Sequence, residues 1–559
     1  MARHQKPVFG SKQFFAFVLA AFFLSALSSC ANSFMEWIVG GKNNSGTAAL
    51  TIDIPDKMIK SFSPIDDYAS FNVTVSGFAS AADAYGVELL VNPPAGFTIS
   101  GHNAKAPAVN GVKTFTVRVD TTPPVTAATQ AVISITGLAG MPAAGYYPYT
   151  GGPQNVPVQY ADGLSEANAI PVTQENIVRS PGESFNGYAR SNIASVLHYK
   201  QIGNITLPDP APFSNGNWTP IGNNSAAQFL GSYDGQNNTI TNLNISNNTQ
   251  SQGLFGYIGT GAQVANVRLV GCKVAGDSGT GSVAGNNHGG EIINCSSQGA
   301  VTGVNSNTGI GGIVGVNYGR VKKCYSSCAV NGGQNTGGIV GYNGYNGSSY
   351  GTVEYCYAGG DVTGNANTGG IAGYIVYGTI NNSYSTGNVT GAWHTGGIAG
   401  GNDVTGIVQN CYSTGIIKGT GNIGGIIGNM IVGEVLYCAA LNQSVILLSG
   451  TTFGRAIGNY SGGTTDYNYA RQGMDIRNNT APDFSGGTAK FPLDNTHNDL
   501  DGGDLPVSTN AYEAAFRHGT GLSSGGLPSD WGTGTWDFAA VWEWSAAKNR
   551  PILRGLAGQ

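Results

Sequence analysis

A tetrad of glycine, two apolar residues and glycine recurs through the middle of this chain and constrains its fold more than any other feature. It reads GLFG at Gly253 to Gly256, GIVG ending at Gly315 and Gly341, GIAG ending at Gly373 and Gly400, and GIIG ending at Gly428. Looser copies end at Gly285 and Gly458. Successive closing glycines lie 29, 30, 26, 32, 27, 28 and 30 residues apart, which is one supersecondary unit per repeat. Eight copies at that period require an architecture in which each unit buries its apolar face against the next.

A second element follows each tetrad: INCSSQGAV, KKCYSSCAV, EYCYAGGDV, NNSYSTGNV and QNCYSTGII. Period-2 reading puts Cys295, Ser297, Gly299 and Val301 on one face, with Cys324/Ser326/Cys328/Val330 and Cys411/Ser413/Gly415/Ile417 as equivalents. A strand with so small an inward face buries little area alone. Stacking copies about 4.8 Å apart buries each row against the next and pairs the backbone groups. A parallel β-solenoid is therefore expected over residues 191–468, right-handed by the sterics that govern parallel crossovers.

These repeats resemble GLUG motifs, which occur in many bacterial cell-surface proteins and in some IgA-specific metallopeptidases. The resemblance covers Gly253 to Gly458; upstream, WTPIG at Trp218, SYDG at Ser232 and TITNLNI at Thr239 resemble the coils that precede such motifs. It implies surface location more than a defined role, since members are described mostly as surface proteins of unknown function.

The flanks differ in character. From residue 48 to 160, alternating stretches such as Leu50/Ile52/Ile54, Phe71/Val73/Val75 and Phe115/Val117/Val119 are divided by Gly, Pro, Asn and Asp clusters, the pattern of an immunoglobulin-like β-sandwich. Residues 161–190 are polar and carry Pro171 and Pro181, which reads as a linker. Residues 469–559 hold four of the seven tryptophans, Trp531, Trp536, Trp542 and Trp544, and read as a C-terminal cap on the stacked core.

At the N-terminus a basic stretch from Arg3 to Lys12 precedes an apolar run from Phe14 to Leu27, too short to span a bilayer comfortably. Residues 1–29 thus read as an export signal. Leu27-Ser28-Ser29-Cys30 resembles the lipobox of bacterial lipoproteins, which implies lipidation at Cys30, a tether over residues 30–47 and attachment to a membrane. Ala31 and Asn32 follow in place of the aspartate that commonly retains lipoproteins on an inner membrane, so the resemblance implies the outer membrane. The formal charge of −5 becomes −8 once Arg3, Lys6 and Lys12 are lost, and no basic footprint for nucleic acid remains.

Seven cysteines remain after Cys30. Cys324 and Cys328 on one strand would stand about 13 Å apart, beyond the ~7 Å limit for a bridge. Buried free thiols are expected, with pairing between neighbouring rungs the alternative; no CxxC or Cys-His spacing marks a metal site. Tyr325, Tyr357, Tyr384 and Tyr412 follow the ladder position, joined by Tyr355 and Tyr437, and alternation turns them outward. An exposed aromatic row could bind a host glycan or matrix protein; cross-strand packing is the alternative.

Catalysis finds little support. Sugar-bond cleavage needs paired carboxylates, whereas Asp277, Glu291, Glu354, Asp361, Asp403 and Glu434 occur singly at different repeat positions. Asp66-Asp67 reads as a solvated loop, His288 and His394 as isolated solvated residues, and no HExxH occurs. The loop DNTHNDLDGGD offers Asp499, Asp501 and Asp504 as weak calcium ligands without EF-hand spacing. No cofactor is implied. The expected function is adhesion or ligand binding by a surface rod without catalysis, with a structural envelope component and a β-helical carbohydrate-active enzyme as alternatives.

Overall fold

The computed structural model describes residues 49–55, 60–62, 68–121, 130–140, 149–161, 163–179, 184–210, 216–304, 308–344, 350–450, 452–478, 503–505, 540–545, 547–548 and 550–555. The chain divides into two compact units, residues 1–160 and 161–559.

In the first unit, strands Thr51–Asp53, Tyr68–Ser76, Val112–Thr121 and Phe97–Ser100 form one four-stranded sheet in that order. Lys60–Phe62, Gln154–Tyr160, Gln130–Ala139 and Glu88–Asn92 form a second. Alternation decides the core: Val73, Val75, Phe115 and Val117 from one sheet meet Leu89, Ile133, Ile135 and Val156 from the other. Lys113, buried on the strand beside Phe115, satisfies its ammonium with the carbonyls of Ala84 and Val87, each at 2.8 Å. Desolvation pulls its pKa down.

The second unit is a parallel β-solenoid of about ten turns over residues 170–477. Within each full coil, strands on four stretches stack in register on their counterparts, as Glu291–Ile293, Arg320–Lys322 and Thr352–Glu354 do. Their middle residues, Ile292, Val321 and Val353, are fully buried and continue as Ile380, Val408 and Val435. A polar row also runs inside, where Asn287 donates to Asn317 at 2.9 Å and Asn317 to Asn343 at 2.8 Å, satisfying amides that would otherwise be costly to bury.

The tetrads mark where coils approach most closely. A Cβ on Gly338, which opens its tetrad, would lie 2.2 Å from the carbonyl oxygen of Gly370 on the next coil. One on Gly341, which closes it, would lie 2.2 Å from the amide nitrogen of Ile310 on the preceding coil. Both positions exclude any side chain, which accounts for the motif that organises the sequence.

Two boundaries move. Residues 161–190 are not merely a linker: Ile170–Val172 is the first solenoid strand and pairs with Tyr199–Gln201. The helix Phe185–Ser191, N-capped by Ser184, drives Phe185 against Tyr199, Tyr233 and Trp218, with centroids 5.1, 5.8 and 6.4 Å away. Polar composition hid this segment because one short helix needs only a few apolar residues to join an aromatic cluster. At the other end, strands Tyr469–Arg471 and Asp475–Asn478 continue the solenoid sheet beyond residue 468. Among the described residues, no helix is long and apolar enough to cross a membrane.

Candidate functional site: the tyrosine row and its cover

Tyr325, Tyr357, Tyr384 and Tyr412 occupy one register position on four successive rungs. They lie between small inward-facing residues, cysteine, serine or alanine, so alternation directs them out of the coil, and their rings stack at centroid separations of 4.9, 4.4 and 4.7 Å. The expectation of an exposed row is nevertheless corrected. A hairpin of Trp542–Ser545 and Arg550–Leu553 lies over it. Tyr384 and Tyr412 are fully buried, Tyr357 is 6% exposed, and Tyr325 at the edge is half-buried.

The cover is specific. Trp542, itself fully buried, sits 6.2 Å from the Tyr384 ring and 6.0 Å from that of Tyr412, and its indole N–H donates to Asn382 Oδ1 at 3.2 Å. The Tyr412 hydroxyl donates to the Pro551 carbonyl, and the Arg550 guanidinium lies 5.7 Å from the Tyr384 ring centre. Burial pushes the phenols of Tyr384 and Tyr412 well above their ordinary pKa. Trp542, expected to seal the end of the stacked core, instead covers the tyrosine row along the side of the solenoid.

The corner between the first two strands of each coil holds a residue in the left-handed region. Asn266, Asn294, Lys323, Tyr355, Asn382, Asn410, Tyr437 and Tyr467 occupy it, with φ between 46° and 58°. Asparagine tolerates this conformation best among non-glycine residues. Tyr355 and Tyr437 are therefore corner residues rather than members of the stacked row, and Tyr437 stacks on Tyr467 at 4.9 Å.

All seven cysteines from Cys272 to Cys438 are free and buried. Desolvation raises the thiol pKa of Cys295, Cys324 and Cys411. The pair that sequence spacing missed is Cys272 and Cys328, two rungs apart, whose sulfurs approach to 3.7 Å across the bare backbone of Gly299. Their contact is a hydrogen bond between thiols; two rungs at about 4.8 Å each hold the backbones beyond bridging range.

The scattered carboxylates are mostly engaged. Glu291 and Glu354, treated singly in sequence, flank Arg320 on adjacent rungs; Arg320 pairs with Glu291 at 3.3 Å and also with Glu354, which Lys322 approaches at 3.5 Å. Asp403 accepts from the Tyr374 hydroxyl at 2.9 Å, and Asp361 from the Asn388 amide at 2.8 Å. The histidines are not solvated as expected. His288 is half-buried between Tyr257 and Tyr318, at 5.6 and 5.0 Å, and His394 is half-buried at a left-handed position; burial lowers both pKa values. Cys30, the Asp66-Asp67 pair, Asp499, Asp501, Trp531 and Trp536 lie outside the described residues. Asp504 is described only as a strand position paired with Ala470.

Fold and site together define a class: a two-unit all-β protein whose larger unit is a parallel solenoid with a hairpin laid along its side. No family model matches the chain. Over 136 residues, 24% of its length, the chain is 34% identical to halomucin of Haloquadratum walsbyi, and the match spans 1% of that protein. A crystal structure of a candidate immunoglobulin A1 protease from Bacteroides ovatus aligns with 70% of this chain and 94% of its own, at 16% identity and a TM-score of 0.36.

Proposed function

We propose that this chain is a bacterial surface lipoprotein, anchored in the outer membrane through Cys30, whose GLUG-type, right-handed solenoid and immunoglobulin-like sandwich act in adhesion or matrix binding without catalysis. The observation that carries this reading is the division of labour in the coils. Interior rows repeat from coil to coil, while outward positions vary from Thr308 and Gln334 to Ala366 and Trp393 along one register line. Such a scaffold holds surface side chains at a fixed spacing on a rigid rod, which suits display and recognition. Engagement of Glu291 and Glu354 by Arg320 supports a non-catalytic role for those carboxylates.

The alternative of a structural envelope component gains support from the covered tyrosine row, which serves packing and so removes one ligand surface. The test is on cells producing the full chain and its Cys30→Ala variant. Lipopeptide mass spectrometry should find acylation at Cys30, and protease added to intact cells should cleave the parent. An unmodified N-terminus, or protection from protease, would refute anchoring or display respectively. An array of matrix proteins and glycans probed with soluble chain then separates adhesion from a purely structural role.

A further inference from the structure

At the edge of the hairpin, a cavity of about 250 Å³ opens between the solenoid corner and the cover. Its polar wall is Lys322, Lys323 and Arg554, and its apolar wall is Tyr355, Val541 and Leu553. Three cations converging on one cavity are unusual in a chain with 26 lysines and arginines among 559 residues and a net charge of −5.

Two of those cations have carboxylate neighbours. Lys322 stands 3.5 Å from Glu354, which it shares with Arg320, and Arg554 is 3.8 Å from Glu543. Lys323 is exposed, and among the described residues its ammonium has no carboxylate partner. The backbone supplies a second, independent observation. Lys323 and Tyr355 are consecutive corner residues with φ of 53° and 55°, where the coils on either side carry Asn294 and Asn382. Tyrosine recurs at this corner in Tyr437 and Tyr467, but lysine stands there only at Lys323 among the eight corners, and it is less at ease in that conformation than asparagine, so local conformational preference does not explain Lys323. Lys323 and Tyr355 both line the cavity.

We infer that this corner cavity binds a saccharide residue carrying a carboxylate or a sulfate. The volume suits about one sugar ring, below the usual range for drug-sized ligands. Lys323 meets the anionic group, and Arg554, whose Nε donates to the Trp542 carbonyl at 2.9 Å, adds positive charge at the cavity rim. Val541 and Leu553 face the ring's C–H surface beside Tyr355, over whose ring the Lys322 ammonium sits at 5.5 Å, the pairing of apolar wall and few polar groups that fixes a small ligand's orientation. The inference deepens the display reading, on which it rests for where such a saccharide would be met.

The test uses the purified full chain in detergent, titrated with a hexuronic-acid disaccharide, its sulfated form, and its carboxyl-reduced neutral form. Saturable binding of either acidic probe, absent for the neutral one and weakened by added salt, is expected. A preference for the sulfated probe assigns the source to sulfated matrix glycans, and one for the unsulfated probe to polyuronate polysaccharides. The variant Lys323→Asn with Tyr355→Asn installs the residue the adjoining coils use, so it should fold and melt at least as well as the parent. Its affinity should fall at least about tenfold, the loss expected for one charge-assisted hydrogen bond. Equal binding of acidic and neutral probes, no binding of any probe, or unchanged affinity in a folded variant would overturn the inference. Because the titration needs no cell, its failure is distinguishable from failure of display, which protease treatment of intact cells reads separately.

Discussion

Replacing Gly341 with alanine tests whether the tetrad glycines are demanded by coil-to-coil approach. The added Cβ would lie 2.2 Å from Ile310 N, 2.4 Å from Gly309 C and 2.6 Å from Gly309 Cα, all backbone atoms of the preceding coil. Favourable contacts sit near 3.5–4.0 Å, so each overlap is about 1 Å or more. No side-chain rotation relieves it; the rung must lift. Overpacking alone costs about 1–3 kcal/mol. Each backbone hydrogen bond left unmade by the lifted rung adds about 1–3 kcal/mol, so a total near 4 kcal/mol is expected. The control is Gly261→Ala, where φ is +81° and no atom lies within 4 Å of the new Cβ. Only the left-handed penalty of about 1–2 kcal/mol applies there. Because a two-unit repeat protein need not unfold in one step, the assay is hydrogen exchange resolved by peptide. Gly341→Ala should lower protection roughly 10²–10³-fold on the coils holding Gly309–Gly311 and Val340–Asn343, and leave strand Tyr68–Ser76 unchanged, since 1.4 kcal/mol is a factor of ten. Equal losses for Gly341→Ala and Gly261→Ala would refute the steric account of the motif.

Further outcomes are expected. Trp542→Ala should cost the hairpin about 3–5 kcal/mol of docking, so that limited proteolysis releases the C-terminal segment while far-ultraviolet circular dichroism of the solenoid persists. Loss of the solenoid signal with the hairpin would contradict this. Alkaline pH should destabilise the second unit. Tyr199, Tyr233, Tyr384, Tyr412 and Tyr469 have pKa values raised by burial, so the folded state holds more protons above the unfolded value near 10. That stability is fully present below pH ~10 and declines as pH rises through it. Thermal melts from pH 8 to about 11.5 check the sign; an unchanged melting temperature across this range would refute it. Arg320→Gln should cost no more than about 1–2 kcal/mol: water screens the Arg320–Glu291 pair, whose side chains are 39% and 40% exposed, while Glu354, 14% exposed, keeps Lys322 at 3.5 Å as a second cation. A larger loss in urea titration would show that the ion ladder is a structural element in its own right.

Much of the solenoid was legible because its determinants are local and repeated. A closing glycine records a backbone too close for a Cβ, and the Cys, Ser and Val positions record a narrow interior, so period and alternation alone locate the rungs. The candidate site was legible in part. Alternation correctly turned Tyr357, Tyr384 and Tyr412 out of the coil, whereas the corner row that holds Lys323, Tyr355 and Tyr437 was not read from the sequence and needed the backbone angles.

By itself, then, the sequence determined the all-β class, the stacked coils and the facing of each row, because those follow from short-range sterics and from a period written eight times. Only the tertiary structure decided which outward residues meet solvent. Tyr384 is buried by Trp542, which bonds to Asn382 across 160 residues of chain, and Glu291 finds Glu354 through Arg320 two rungs on. Residues 161–190 likewise became the start of the solenoid because Phe185 reaches an aromatic cluster assembled from later coils. Burial is a property of the neighbours a position acquires, and neighbours brought from distant segments leave no mark on the local pattern that alternation and spacing can read.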